Sequence, residues 1–397
     1  MPEKTLNVGI IGFGMIGKVH AYGYAAMPYY CRGLSFAPKI THVATAHAET
    51  AEKAREQIGC PFAVTDFREI TENPNIDIVH ICTPNAEHAD ALVSAIQNHK
   101  HIYCDKPLTS TLEEADRVAE ALAAEGERFD RTTQMTFHLR FFAAIRRAKA
   151  LIDSGRLGRI FEYRVGYYHS SAVSADGLFK WKNAYGGGAI LDLGAHLFDL
   201  IDYLVGTPSE LIAESRIGHA TRLCSSDGTR RQTVVVEDAV TILTRGHTSV
   251  GDLDYHGRIE ATKLAAGRED ELELEISGQK GAIRFSLLDP HWLWFFDAAD
   301  PDRPYGGDSG WKRIAAGGRY EPPETDFPSQ KSSVGWLRGH VGALAHFLTA
   351  IDRAEPGEPD LRQGIKIQTL LDFAARSAQK RAWIPVFLPQ TGEKDRL

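Results

Sequence analysis

The sequence predicts an α/β chain in two parts: a doubly wound parallel sheet first, then an α+β part with a large, mainly antiparallel open sheet. Three observations predict this. Short apolar runs alternate with helix-period segments through residues 6–125. The cluster Gly12-Phe13-Gly14-Met15-Ile16-Gly17 follows the first of those runs at once. From about residue 128 the texture changes to β-branched and aromatic runs separated by Gly, Asp and Ser turns, with few helices between them.

Residues 6–11 are bounded by glycine and read as a buried strand, and a helix pattern runs from the glycine cluster to about Met27. Strand, glycine turn and helix together make G-x-G-x-x-G a dinucleotide fingerprint. Gly12 permits the tight turn, Gly14 lets the backbone approach a pyrophosphate, and Gly17 lets the helix pack on the strand. The turn through Phe13, Met15 and Ile16 then offers amides and the positive end of a helix dipole to the phosphates. The expected cofactor is NAD or NADP.

The alternation continues as strand 40–46, helix 49–58, strand 76–82, helix 86–97, strand 101–104 and helix 112–125. Such alternation implies a Rossmann-type parallel sheet covered on both faces, with ligands outside the carboxyl ends of its strands. Three segments end there: the glycine turn, Thr83-Pro84-Asn85, and Asp105-Lys106-Pro107. An acidic residue is expected after the second strand to hold the adenosine ribose, yet that strand leads to His47. His47 can stack on adenine, meet a 2′-phosphate, or make no contact, which leaves NAD versus NADP open. Residues 28–38 are aromatic, aperiodic and long for a helix–strand connection, so they read as a loop near the active site, at a subunit interface, or packed on their own domain.

Composition bounds the rest. The 397 residues fit two domains, expected at 1–127 and 128–390 with a tail at 391–397. A net charge of −7 without a basic block argues against nucleic-acid binding, and no apolar run is long enough to span a membrane. The start shows no signal-peptide pattern, and five scattered cysteines without a Cys-x-x-Cys pair suggest a reducing cytoplasm. The sixteen histidines show no metal-binding spacing, so no metal is expected.

The run from Gly186 to His196 is Gly-Gly-Gly-Ala-Ile-Leu-Asp-Leu-Gly-Ala-His. On a helix, Asp192 and His196 share one face, beside a glycine loop that admits another molecule. A carboxylate beside an imidazole raises its proton affinity and orients its ring. Lys106 sits at a strand's carboxyl end, where an ammonium can stabilise a developing alkoxide, and Pro107 beside it suits a cis bond.

These motifs resemble, in order, those of the Gfo/Idh/MocA family of glucose–fructose oxidoreductase and inositol dehydrogenase. The similarity covers nearly the whole chain and rests on Gly12 to Gly17, Thr83-Pro84-Asn85-x-x-His88, Asp105-Lys106-Pro107, and Gly186 to His196. Asp105 stands where the family's motif has Glu. The resemblance implies catalytic roles for Lys106, Asp192 and His196. It places Thr83, Asn85, His88, Asp105 and Lys106 at the cofactor. Residues 136–141 (Thr-Phe-His-Leu-Arg-Phe) resemble a family segment with Asn at the place of His138, and Trp181-Lys182 resembles a frequent Trp-Arg. His138, Trp181 and Lys182 are therefore expected at the substrate, with Lys106, Asp192 and His196. The substrate class implied is a sugar, glycoside or cyclitol, and the 28–38 segment resembles members acting on levoglucosan and related glycosides.

In the second part, residues 159–168, 211–217, 239–244, 272–276 and 282–287 read as strands. The family resemblance implies homodimers or homotetramers through the open sheet. Residues 290–328 read as an irregular excursion, and 341–351 and 365–379 as closing amphipathic helices. The leading function is hydride transfer between NAD(P) and a carbohydrate hydroxyl or ketone. Two alternatives stand beside it: a glycosidase that retains NAD and oxidises its sugar transiently, and a non-catalytic sugar or nucleotide sensor.

Overall fold

A computed structural model describes residues 4–31, 33–176, 187–223, 231–247, 254–316, 327, 329, 332–333 and 335–388. The chain forms two compact units. One takes in Met1–Phe141 and Trp336–Gln368, the other Phe142–Arg319 and Thr369–Leu397, and the stretch between 320 and 335 is shared between them.

The first unit is built from β1 (Lys4–Ile11), α1 (Met15–Tyr30), β2 (Phe36–Ala44), α2 (Ala48–Ile58), β3 (Phe62–Val64), α3 (Arg68–Thr71), β4 (Ile78–Ile81), α4 (His88–Gln97), β5 (His101–Cys104), α5 (Leu112–Glu125) and β6 (Thr133–Met135). Its six strands are parallel and run in the order β3-β2-β1-β4-β5-β6. That is the doubly wound dinucleotide-binding order, which reverses direction between β1 and β4. Val8, Ile10, Ile78, Val79 and Ile102 are buried completely, as expected for strands covered on both faces. The start of α5 is fixed by a capping box between Thr111 and Glu114.

Two readings change here. Residues 28–38 are not a long loop: α1 continues through Pro28 to Tyr30 and β2 begins at Phe36. Met27, Tyr30 and Phe36 belong to the core with Leu6, Val8 and Ile10, so burial accounts for two of the segment's three aromatics, while Tyr29 is exposed. Second, the helix at Trp336–Arg353 belongs to the first unit, with Val341, Leu344, Phe347 and Leu348 in that same core. Beneath β4 and β5, His80 Nε2 lies 2.7 Å from Tyr24 Oη and its Nδ1 lies 3.0 Å from His20 Nδ1, with Tyr103 against both rings. Burial pushes His20 down to about 4 and His80 well below the usual imidazole range.

The second unit contains α6 (Ala143–Asp153), β7 (Ile160–Tyr168), α7 (Ala195–Leu204), β8 (Glu210–Arg216), β9 (Thr221–Leu223), β10 (Arg231–Thr233), β11 (Ala239–His247), β12 (Asp254–Thr262), β13 (Glu271–Gly278), β14 (Gly281–Ser286), β15 (Trp292–Asp297) and β16 (Trp311–Ala315). The helix at Trp336–Arg353 is α8 in chain order. α9 (Leu361–Lys380) and the short β17 (Ile384–Pro385) follow it. Nine strands form one sheet in the order β16-β15-β14-β13-β7-β12-β11-β8-β17; β7 and β12 run parallel and the other neighbours antiparallel. α6 packs on β14 and β15, and α7 on β7. The expected excursion at 290–328 instead contributes the edge strand β16 and its neighbour β15. Leu293 and Phe295 point into the core, while Arg313 covers the outer ring of Trp292 at 4.1 Å and Arg284 that of Trp311 at 4.2 Å. Strand β12, between β7 and β11, was not expected from the sequence either.

Candidate active site

In the first unit, β1 ends at Gly12, whose φ of +88° belongs to the left-handed region that glycine tolerates. A Cβ there would meet the backbone of Cys82 at 2.6 Å and of Thr83 at 2.8 Å, so the glycine turn is wedged against the end of β4. A Cβ on Gly17 would lie 2.3 Å from the Gly12 carbonyl oxygen, which explains the close start of α1. Gly14 is different: it caps α1 without a side-chain bond, and a Cβ there meets nothing within 4 Å. Phe13 packs into the core, while Met15 is exposed and Ile16 half-buried. The free space at Gly14, the uncapped helix amides and the buried Thr83 Oγ1, which has no partner among the described residues, together fit a dinucleotide phosphate.

His47 is exposed at the start of α2; its carbonyl accepts the Thr45 and Thr50 hydroxyls. Asn85 opens a short 3-10 turn after Thr83. His88 is fully buried, with Nε2 2.9 Å from the Thr83 carbonyl and Nδ1 3.1 Å from that of Pro107. The His88 ring ties the Thr83 turn to the Lys106-Pro107 turn. The Lys106–Pro107 bond is cis, as expected. Asp105 accepts the Thr136 hydroxyl at 2.6 Å, joining the lysine turn to the segment that carries His138.

His138 is buried, and its ring stacks on His340 of α8 at 4.0 Å between centroids and 12° between planes, with Trp336 against both. Burial, then the neighbouring His138, His20 and Lys106, hold His340 well below the usual imidazole range. Trp336 and His340 were not singled out in the sequence, because nothing in the pattern of α8 distinguishes them from core residues. Trp181 and Lys182 lie outside the described residues.

In the second unit, the glycine run leads into a π turn at Ile190–Gly194, and α7 continues from it. The expected α-helical relation of Asp192 to His196 thus passes through a widened turn, a feature often found at functional sites. The turn is held by polar contacts. Glu237 accepts the Ile190 amide at 2.8 Å through Oε1, and its carbonyl accepts the Ala189 amide at 2.9 Å. Burial raises the Glu237 carboxyl above its ordinary value, an effect opposed by the Ile190 amide. A Cβ on Gly188 would lie 2.2 Å from Glu237 Oε1, so the glycine is what lets the carboxylate in. Lys263, 2% exposed, donates to the Gly187 carbonyl and pairs with Asp192 Oδ2, each at 2.8 Å. His196 is buried with the Tyr167 ring against its edge, 5.8 Å between centroids. Burial first, then Asp270 and Asp192, push the Tyr167 phenol well up. Among the described residues, no group of three His, Cys, Asp or Glu is placed to hold a metal ion, and no helix is long and apolar enough to cross a membrane.

A phosphate-ready glycine turn on a doubly wound parallel sheet is the mark of a dinucleotide-binding protein. Comparison with known proteins narrows this. Residues 6–131 match the profile described as "Oxidoreductase family, NAD-binding Rossmann fold", and residues 145–284 match the "GFO/IDH/MocA C-terminal domain". The chain belongs to the Gfo/Idh/MocA family, and its first part is that family's NAD-binding Rossmann fold. Levoglucosan dehydrogenase of Pseudarthrobacter phenanthrenivorans is 28% identical over 401 residues, covering 96% of this chain and 98% of that protein. The scyllo-inositol 2-dehydrogenase (NAD(+)) of Bacillus subtilis is 27% identical over 287 residues, covering 72% and 75%. A solved levoglucosan dehydrogenase in complex with NADH and levoglucosan superposes with a TM-score of 0.86 at 28% identity, covering 96% of this chain and 100% of that one.

Proposed function

We propose that this protein is an NAD-dependent dehydrogenase of a secondary hydroxyl on a sugar, glycoside or cyclitol. The observation that carries the reading is the turn at Asp192: a carboxylate locked in place four residues before a buried histidine, in a chain similar along its whole length to a levoglucosan dehydrogenase. The name of the inositol dehydrogenase relative supports the wider class of polyhydroxylated rings.

NAD, when bound, supplies the hydride acceptor. The chain supplies the rest. The α1 amides and the space at Gly14 hold the dinucleotide's phosphates, and Thr83, Asn85, Asp105 and Lys106 stand at the carboxyl ends of the neighbouring strands. His196 takes the hydroxyl proton as the C–H bond gives up its hydride, since an imidazole titrates near the pH at which such a base is needed. Asp192 orients that imidazole and favours its protonated form. Lys106 hydrogen-bonds the reacting oxygen and stabilises its developing charge. His138, Trp181 and Lys182 are assigned to the substrate. A second copy of the chain is assigned to the open sheet face.

The test is a panel of sugars, glycosides and cyclitols with NAD and with NADP, read by nicotinamide absorbance. Net reduction of NAD by a member of the panel is expected, with turnover lowered roughly a hundredfold or more in His196→Ala. Glycoside cleavage without net reduction would move the assignment to a glycosidase that retains NAD. Binding without either reaction would make the protein a sensor.

A further inference from the structure

The Asp192 carboxylate has a buried partner on a separate strand. Lys263 lies just past the end of β12, and its backbone is fixed on both sides: its amide donates to the Asp238 carbonyl and its carbonyl accepts the Ala172 amide, each at 2.8 Å. Its ammonium is shut away from water and bridges the Gly187 carbonyl and Asp192. Buried charges are tolerated when paired and hydrogen-bonded, and both conditions are met here. The adjacent acid–base pair is separate: Arg222, also buried, binds Asp238 at 3.1 Å and the carbonyls of Ala172 and Ser174. Lys263 thus stands as a buried cation on Asp192, with Glu237 also in its field.

We propose that Lys263 is the positioning residue of the Asp192–His196 pair: it anchors the carboxylate to the glycine turn and counters its charge toward the imidazole. This rests on the proposed proton-accepting role of His196. An unopposed Asp192 would hold a proton on His196 to higher pH, whereas the ammonium offsets that pull and leaves the imidazole able to accept a proton at lower pH. The charged or titratable groups whose contacts link them to this cluster include Glu237 and Asp238 just before β11, Arg222 on β9, and Tyr167 on β7. Tyr167 is in turn bonded to Asp270, which pairs with His169 at 3.4 Å.

The experiment follows the ring proton of His196 by NMR in the full-length, NAD-free protein with isotope-labelled histidine, its signal identified by its loss in His196→Gln. Lys263→Gln keeps a donor for the Gly187 carbonyl and removes the charge; Lys263→Arg keeps the charge. We expect the His196 midpoint to rise by roughly one pH unit in Lys263→Gln, the low end for loss of a nearby charge, and to return toward wild type in Lys263→Arg. The acid limb of kcat/KM should move by the same amount. A folded Lys263→Gln protein with an unmoved His196 midpoint overturns the proposal. If Lys263→Gln does not fold, Lys263→Arg decides: a wild-type midpoint and acid limb support the proposal, and a displaced midpoint in the folded Arg variant overturns it. Because the titration needs no substrate, a wild-type protein that oxidises no sugar would sink the proposed function and leave this result standing.

Discussion

The contact between Gly188 and Glu237 yields a sharp test of how the Ile190–Gly194 turn is held. Gly188→Ala places a methyl 2.2 Å from Glu237 Oε1 and 2.6 Å from its Cδ. Gly188 does not have the positive φ that would strain alanine, so the cost comes from the clash alone. Relieving it requires the carboxylate to retreat by about an ångström or more, since non-bonded carbon contacts settle near 3.5–4.0 Å. That movement breaks the 2.8 Å bond from the Ile190 amide and leaves a buried amide and a buried carboxylate short of partners. The expected loss is about 1–3 kcal/mol. Glu237→Ala removes the same bond but also removes the obstacle, so Gly188→Ala should then cost little. The double-mutant cycle should therefore show a coupling of about 1–3 kcal/mol, the double variant being more stable than the sum of the single changes implies. Urea unfolding of the four proteins measures it, and initial rates should fall in Gly188→Ala because the displaced turn carries Asp192. An equal cost of Gly188→Ala in both backgrounds would refute the idea that this carboxylate pins the turn.

Gly14→Val should weaken NAD binding at least tenfold, about 1.4 kcal/mol, without lowering the melting temperature, because its side chain enters the space left for the phosphates; unchanged affinity by calorimetry would remove the cofactor from this turn. His47→Asp should lower NADP affinity relative to NAD through repulsion of a 2′-phosphate, and an unchanged ratio would place the ribose away from residue 47. His20 titrates at about 4 when folded against an ordinary 6.5, so the unfolded chain takes the proton first and stability is lost as pH falls through that window. At about pH 5 this amounts to roughly 2 kcal/mol, which His20→Gln should recover in urea midpoints compared with neutral pH; an equal acid loss in both proteins would contradict the burial of a neutral ring.

The nucleotide-binding half was legible because its signals are local. A glycine turn, the flanking apolar strand and the helix period all lie within two dozen residues of one another. The long-range features were hidden for a physical reason. Lys263 and Glu237 carry no spacing motif, and they meet because the β11–β12 register pairs Ala239 with Thr262, which places the residues just outside both strand ends beside the glycine turn. The amphipathic pattern of α8 announced a helix, while its return to the first unit depends on which core has room for Phe347 and Leu348. The hairpin of β15 and β16 was obscured by its own Gly-, Pro- and Asp-rich connection, whose composition outweighed the alternating pattern of the short flanking strands. At residues 28–38 the sequence left three placements open, because the packing of Tyr30 and Phe36 on their own domain depends on α8, about 300 positions further along the chain.

The π turn at Ile190–Gly194 stores one extra residue ahead of α7. An α-helix advances about 100° per residue and a π turn, with its i→i+5 bonds, about 80°, so five residues of the one sweep nearly the angle of four of the other. Deleting one residue from that turn would therefore let it close as an ordinary α turn while α7 keeps its buried face and His196 its direction. What would move is the carboxylate of Asp192, which lies inside the turn, relative to an imidazole that stays in place. In this architecture a single-codon gain or loss at residues 190–194 adjusts one member of the pair and leaves the helix that carries the other untouched.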